Sequence, residues 1–135
     1  VFIKTVPPGC GVSYGHTYVT EKPTKIATLP VGYADGYPRA LSAGGRVLIN
    51  GCYAPIIGRV CMDLMMVDIT DIEDVVPENE VTLVGTEGEN SISVDELAEL
   101  CGVLNYEIIC GISKRVPKVF VKDGQEVLFL SSFDD

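Results

Sequence analysis

Short apolar runs separated by turn residues dominate this chain, and they predict β-strands. Two pairs of runs flank turn sequences, Asn50-Gly51 and Asp123-Gly124-Gln125. Asn, Asp and Gly tolerate the positive φ of tight hairpin turns, so each pair predicts an antiparallel hairpin. The hairpin strands and the remaining predicted strands are Arg46–Ile49 with Cys52–Ile57, Val119–Lys122 with Glu126–Phe129, and Lys25–Val31, Leu64–Ile69 and Glu80–Val84, the last ended by a turn over Gly85–Gly88.

Helical spacing is found in one later segment. Ser93 can cap a helix, Glu96 can return the capping hydrogen bond, and Gly102 can end the helix. A second, shorter helix is predicted over Asn105–Cys110, with Asn105 as its cap. Together these patterns predict a mostly β fold, an antiparallel barrel-like or sandwich domain with one or two short helices. We expect residues 1–135 to form this single domain.

Charge and hydropathy narrow the classes of partner. The chain has 135 residues, 10 basic and 19 acidic side chains and a net charge of −9, which disfavours a nucleic-acid partner. No apolar run approaches the roughly 20 residues that a membrane helix needs, and Val1–Lys4 does not resemble a signal peptide. The mean hydropathy of +0.28 is high for a small acidic domain. It suggests a face that packs against another domain or subunit.

The five cysteines indicate a reducing compartment. They lack CxxC spacing, and His16 is the only histidine, so we expect no metal site. Buried free thiols are the simplest interpretation, and they favour a cytoplasmic location. We expect His16 to stabilise its loop rather than to act as a catalyst.

Three segments carry polar and aromatic groups that packing alone does not explain. The first loop, Gly11–Tyr18, places a tyrosine between glycines; the second, Gly32–Arg39, combines two tyrosines with an aspartate and an arginine. The third loop, Gly58–Asp63, brings a cation, a thiol, a thioether and a carboxylate together. Functional groups often lie on loops that a rigid scaffold holds. The three loops are therefore the candidate functional region.

These segments resemble the ordered motifs of the alanine racemase C-terminal domain. The motifs are GVSYGHTY, LPVGYADGYPR, IIGRVCMD, NYEI and SKRVP, and the resemblance runs from about Lys4 to the last strand. It implies a second, N-terminal (β/α)8 barrel domain whose lysine binds pyridoxal 5′-phosphate. It also implies a homodimer in which each active site uses both chains, and a small amino acid as substrate. Because neither the barrel nor its lysine motif is found in this sequence, we expect the isolated fragment to be inactive.

The resemblance assigns roles at the reaction centre to three residues. Racemisation requires two acid–base groups on opposite faces of the substrate, and Tyr14 matches the tyrosine base that acts in the partner subunit's site. A free phenol has a pKa of about 10, so such a base needs a nearby cation or imidazole, which the family takes from the barrel. Met62 matches a position whose backbone amide meets the substrate carboxylate. Tyr106 matches a tyrosine that binds the cofactor phosphate from its own chain, and a helix start there would favour an anion.

Five further residues match the surroundings of that centre. Tyr33 matches an entrance tyrosine, while Arg39 and Arg59 match a channel that would attract an amino-acid carboxylate. Cys61 and Asp63 are expected to support the loop that carries Met62.

Other interpretations stay open at this point. Tyr14 could simply fill a groove, and either arginine could form a surface salt bridge. The substrate could be serine or another small amino acid, and a non-catalytic β-domain for dimerisation or binding is a further alternative.

Overall fold

Strands make up most of the regular structure in the computed structural model, which describes residues 1–131. The last four residues of the predicted domain lie outside these described residues. The strands are β1 (Phe2–Val6), β2 (Gly11–Val12), β3 (Tyr18–Val19), β4 (Thr24–Leu29), β5 (Arg46–Ile49), β6 (Cys52–Pro55), β7 (Met65–Asp68), β8 (Gly85–Glu87), β9 (Asn90–Ile92), β10 (Lys118–Lys122) and β11 (Gln125–Leu130). The α-helices are α1 (Val94–Cys101) and α2 (Asn105–Cys110).

A three-stranded antiparallel sheet, in the order β1-β4-β7, lies at the centre of the fold. The other paired strands form the two-stranded units β2-β3, β5-β6, β8-β9 and β10-β11. A single bridge, Ile56 with Val67, connects the central sheet to the segment that follows β6, and a second bridge, Leu48 with Thr82, connects β5 to a residue outside the strands. The mostly β class with two short helices is confirmed. Among the described strands, however, the sheets do not close into a barrel, because single bridges replace continuous ladders.

The main core lies between the central sheet, the β5-β6 hairpin and α1. Leu41, Leu48, Met65 and Leu97 are almost completely buried in it, with Leu97 contributed by the apolar face of α1. Burial of several such side chains, each contributing roughly 1.5–3 kcal/mol, holds the scaffold from which the three loops project.

The turn chemistry sets both predicted hairpins. Asn50 and Gly51 have φ values of 51° and 73°, as a type I′ turn requires. Asp123 and Gly124 have φ values of 54° and 76°. The second turn therefore has two residues rather than the predicted three, and Gln125 begins β11. In contrast to β5-β6, every residue of β10 and β11 is exposed.

The predicted strand Glu80–Val84 was wrong. In this segment only Thr82 exchanges backbone hydrogen bonds with Leu48, at 2.9 Å in each direction. Val81 and Leu83 pack against the core without forming a ladder. The segment predicted as its terminating turn instead supplies strand β8, which pairs with β9. Strand β1 was not predicted. Its residues are exposed or only partly buried, so the strand lacks the clear alternation of buried and exposed positions that a sequence pattern would reflect.

The helix ends follow local hydrogen bonding. Ser93 caps α1 as predicted, since its Oγ accepts from the Glu96 amide at 3.0 Å, and Gly102 ends the helix at φ 68°. The predicted Asn105 cap of α2 was wrong. Leu104 occupies the cap position, and the Asn105 amide side chain instead donates to Asp95 at 2.8 Å. Within residues 1–131, no helix has the length and apolar character needed to cross a bilayer.

Candidate functional site

Tyr14 stands at the tip of the first loop and points away from the core. Strand β2 ends at the buried Val12, and a short 3-10 turn over Tyr14–His16 follows. The Tyr14 side chain is 74% exposed. Gly15 has a φ of 72°, which lets the chain reverse immediately after the tyrosine. The phenol is thus accessible to a partner molecule.

Tyr14 and Met62 line the same open groove. Its volume is about 440 Å³, and the loop-support candidates Cys61 and Asp63 also line it. The Ser13 hydroxyl donates to the Arg59 carbonyl at 2.8 Å and lies 3.3 Å from the Cys61 sulfur. These contacts join the first loop to the third. The structure therefore brings Tyr14 together with three predicted site residues, Cys61, Met62 and Asp63, which lie almost 50 residues later in the sequence.

The second loop packs directly on the third through its backbone. The amides of Tyr33 and Ala34 donate to the carbonyls of Cys61 and Met62, each at 3.0 Å. A Cβ at Gly32 would lie only 2.2 Å from the Cys61 carbonyl oxygen, so this close approach requires glycine. Tyr33 is exposed and its loop packs on the Met62 loop, but Tyr33 does not line the groove of Tyr14 and Met62.

Arg115 is the residue that sequence analysis missed. Its Nε donates to Asp35 at 2.7 Å and its Nη2 to Asp63 at 2.6 Å, so one side chain joins the second and third loops. Partial burial alone would raise the pKa of Asp35, but hydrogen bonds from Arg115 and from the Gly32 amide outweigh it, and the pKa is lowered. The two carboxylates in turn raise the pKa of Arg115, chiefly through the hydrogen bond to Asp35. Arg115 lies in the SKRVP motif, but its distant partners could not be identified from one sequence.

The backbone of Met62 has one partner and one free group. Its carbonyl accepts from the Ala34 amide. Its N–H makes no hydrogen bond within residues 1–131, and the side chain is 54% exposed. A free N–H donor at the surface of a groove is suited to an anionic oxygen.

Arg39 and Arg59 differ in their surroundings. Arg39 is exposed on the second loop, and Arg59 is half-buried on the third. Neither Arg39 nor Arg59 forms an ion pair within residues 1–131, so the salt-bridge interpretation of these two residues is not supported. The Arg59 guanidinium instead lies against Gly15, where an added Cβ would be 3.3 Å from Nη1.

Tyr106 lies apart from the Tyr14–Met62 groove. It is 75% exposed in the first turn of α2, and it does not line that groove. The exposed phenol can donate one hydrogen bond to a phosphate. Glu107 beside it is acidic, so this helix start is a poorer anion site than predicted. A phosphate cofactor therefore fits here only if most of its ligands come from elsewhere.

No group of metal-binding side chains occurs among residues 1–131. The imidazole of His16 packs closely over Gly11, where a Cβ would lie 2.5 Å from the ring. This position fits a role in holding the first loop.

Comparison with known proteins gives a consistent match. The family model described as alanine racemase, C-terminal domain, matches residues 1–120. An alanine racemase from Halothermothrix orenii is 58% identical over 120 residues, which are 89% of this chain and 32% of that protein. Another, alanine racemase 1 of Clostridium acetobutylicum, is 52% identical over 94% of this chain and 33% of its own length.

Solved structures agree with the sequence relatives. Alanine racemase from Bacillus anthracis with bound L-Ala-P matches with a TM-score of 0.89 at 45% identity, over 96% of this chain and 33% of that one. The Clostridium difficile 630 alanine racemase in complex with cycloserine also gives a TM-score of 0.89, at 40% identity over 98% of this chain and 34% of that one. The chain thus spans about a third of the length of these relatives.

Proposed function

Because this chain belongs to the alanine racemase C-terminal domain family, we propose that it is the C-terminal domain of a pyridoxal-phosphate-dependent racemase that interconverts L- and D-alanine. In this proposal residues 1–135 act as one domain, an N-terminal barrel domain completes the protein, and the protein is a cytoplasmic homodimer. All five cysteines are free thiols, which supports a reducing compartment. The prediction that these thiols are buried was wrong, because two are exposed and three are only partly buried.

The exposed phenol of Tyr14 on the groove it shares with Met62 is the observation that carries the proposal. A base that serves another subunit's active site must project from its own domain, and Tyr14 does so. It takes the α-proton from one enantiomer of the substrate, and in the reverse direction it returns a proton to the same face and so forms that enantiomer again. A second base on the opposite face, supplied by the barrel, completes the exchange. An activating cation or imidazole for the phenol is also expected from the barrel.

Met62 and the two arginines bind and guide the substrate in this proposal. The free Met62 N–H donates to the substrate carboxylate and orients its α-carbon toward Tyr14. Arg39 and Arg59, which form no ion pair within residues 1–131, leave their positive charge available for the same carboxylate on its way in. Tyr33 narrows the entrance beside Met62, while Cys61 and Asp63 hold the loop on which Met62 lies.

Tyr106 is the residue of this chain that would hold the cofactor. When bound, pyridoxal 5′-phosphate would accept the electron pair that the departing α-proton leaves behind. The exposed Tyr106 phenol would donate one hydrogen bond to the phosphate, and the barrel would supply the remaining ligands. The dependence on another domain agrees with the acidic surroundings of Tyr106 in this chain.

Deuterium exchange in the two-domain protein tests the role of Tyr14. Free enantiomers have equal energy, so kcat/KM must stay equal in the two directions for any variant, and turnover alone cannot identify the face. In D2O, Tyr14→Phe should slow racemisation by about 10²–10⁴-fold. One enantiomer should still exchange its α-proton with retention of configuration, whereas the other should not exchange.

Tyr53→Phe is the matched control, because its hydroxyl donates to the Ser91 carbonyl at 3.0 Å and it does not line the groove. It should leave both exchange reactions within about twofold of wild type, as expected for a substitution away from the site. Equal loss of exchange from both enantiomers in Tyr14→Phe would contradict a one-sided base.

A further inference from the structure

Ser13 adopts a backbone conformation that side chains rarely accept. Its φ is 63° and its ψ is −177°. This region is essentially restricted to glycine, because a Cβ there crowds the neighbouring peptide groups. The strained residue lies directly between the buried Val12 and the exposed Tyr14. Such strain persists only when the surrounding structure holds it in place.

The Ser13 hydroxyl makes a contact that can fix this strained conformation. It donates to the Arg59 carbonyl at 2.8 Å, and the Cys61 sulfur lies 3.3 Å from the same oxygen. The Cys61 thiol also approaches the Arg59 carbonyl, at 3.5 Å. The hydroxyl therefore sits in a small polar cluster at the base of the third loop, and this loop carries Met62.

Close backbone packing reinforces the contact. A Cβ at Gly58 would lie 2.7 Å from the Ser13 Cβ and 2.8 Å from the Val12 carbonyl oxygen. On the other side of Tyr14, the Arg59 guanidinium covers Gly15. Residue 59 thus contacts the residues on both sides of the tyrosine, through its carbonyl at Ser13 and through its side chain at Gly15.

We infer that Ser13 is a positioning residue for Tyr14: its hydroxyl, bound to the Arg59 carbonyl, holds the strained turn that projects the phenol over the groove shared with Met62. This inference rests on the proposed function, since it assigns Ser13 an effect only through Tyr14. A residue that merely stabilised the fold would affect both bases of the reaction alike. A residue that positions Tyr14 affects the rate of proton transfer on only one face of the substrate.

Two substitutions in the two-domain protein separate the hydroxyl from the backbone strain. Ser13→Ala keeps the Cβ and loses the hydrogen bond, whereas Ser13→Gly relieves the strain and also loses the hydrogen bond. Both should slow α-proton exchange by about tenfold for the enantiomer that Tyr14→Phe affects, because small displacements of a reacting group are costly. Exchange of the other enantiomer should change less than about twofold. Ser13→Gly should unfold at no lower temperature than Ser13→Ala.

A double variant tests whether Ser13 acts through the tyrosine. In a Tyr14→Phe background, Ser13→Ala should slow the residual racemisation by less than a further factor of about two. The phenol that Ser13 positions is already missing from that variant. Ser42→Ala is the matched control. The Ser42 hydroxyl accepts from the Val60 amide at 2.8 Å and donates to the Arg39 carbonyl at 2.6 Å, so it also holds the third loop but does not adjoin Tyr14. Its substitution should show neither the one-sided loss nor the dependence on Tyr14.

The outcomes distinguish two failures. If Tyr14→Phe loses exchange of one enantiomer but Ser13→Ala loses both equally, or neither, Ser13 does not position the tyrosine and only this inference fails. If Tyr14→Phe retains exchange of both enantiomers, the proposed function fails and the inference fails with it.

Discussion

Arg115 illustrates how one side chain can organise a site without touching a substrate. Its guanidinium bonds to Asp35 on the second loop and to Asp63 on the third. All three side chains are at least partly exposed, so these ion pairs contribute little to overall stability. Their value lies in the fixed fork geometry of the guanidinium, which sets the relative position of two loops.

Substituting Arg115 should therefore affect activity more than folding. In the two-domain protein, Arg115→Lys keeps the charge but loses the two-pronged geometry, and we expect kcat/KM to fall about tenfold. Arg46→Lys is the control, because it weakens a similar exposed pair with Glu96 away from the groove. A loss of kcat/KM as large in Arg46→Lys would contradict a specific role for Arg115.

The lowered pKa of Asp35 gives a prediction about acid. A carboxylate whose pKa is lower in the folded state stabilises the protein above its unfolded pKa of about 3.9, and this contribution disappears as the pH falls through the folded pKa. The free energy of unfolding of wild type should therefore exceed that of Asp35→Asn at neutral pH. The difference should shrink below about pH 4, as measured by urea unfolding at a series of pH values. A difference that stays constant down to pH 2 would exclude ionised Asp35 as its source.

Sequence analysis singled out residues on the three loops, but it did not predict the contacts that link the loops. Tyr14, Met62 and the arginines stand out because aromatic and charged groups on glycine-rich loops are hard to explain by packing. The Ser13 and Arg115 contacts, by contrast, span 46 to 80 residues of sequence. No local pattern encodes which distant carbonyl or carboxylate a hydroxyl or guanidinium will reach.

The β10-β11 hairpin is the element whose apolar surface remains open. Its seven large apolar side chains are 46 to 62% exposed. They are Val119, Phe120, Val121, Val127, Leu128, Phe129 and Leu130. The high mean hydropathy predicted a face of this kind. Because the relatives are about three times longer, we expect the remainder of the two-domain protein to cover it.

Polar substitution of this hairpin should have little effect on the stability of residues 1–135 alone but should destabilise the two-domain protein. In residues 1–135 alone, Phe129→Ser should reduce binding of the dye ANS and change the free energy of unfolding by less than about 0.5 kcal/mol, since the ring is already exposed. In the two-domain protein it should lower the unfolding temperature by a few degrees, about the effect of 1 kcal/mol. Lys122→Ser, on the same hairpin, should be neutral in both. Equal unfolding temperatures for Phe129→Ser and wild type in the longer protein would show that the face stays open.

At the level of elements, turns were easier to predict than strand partners. Asn50-Gly51 determines its hairpin because the required φ values are a local property. The segment Glu80–Val84 also contains an apolar run, yet it forms only one β-bridge, between Thr82 and Leu48. Whether an apolar run becomes a strand depends on the edge that tertiary packing offers, and the run itself does not contain that information.

At the scale of the whole molecule, Tyr14 and Met62 share one groove, and the proposed function assigns the rest of the reaction to another polypeptide segment. The groove is lined by the phenol of Tyr14 and by Met62, whose N–H is free, and the one carboxylate in its lining, Asp63, is bound to Arg115. Residues 1–135 alone should therefore neither racemise alanine nor show the absorbance of bound pyridoxal 5′-phosphate. Mixing them with a separately produced barrel domain should restore some activity if the two associate. Turnover by residues 1–135 alone would contradict the two-domain proposal.

The long separation between Arg115 and its partners has a consequence for biosynthesis. Asp35 leaves the ribosome 80 residues before the guanidinium that ties its loop to Asp63. At translation speeds of about 5–20 residues per second, the nascent chain waits about 4–16 s before that connection can form. During this interval the loops bearing Tyr33 and Met62 lack the guanidinium link, so a truncated translation product would carry both loops joined by their backbone hydrogen bonds alone.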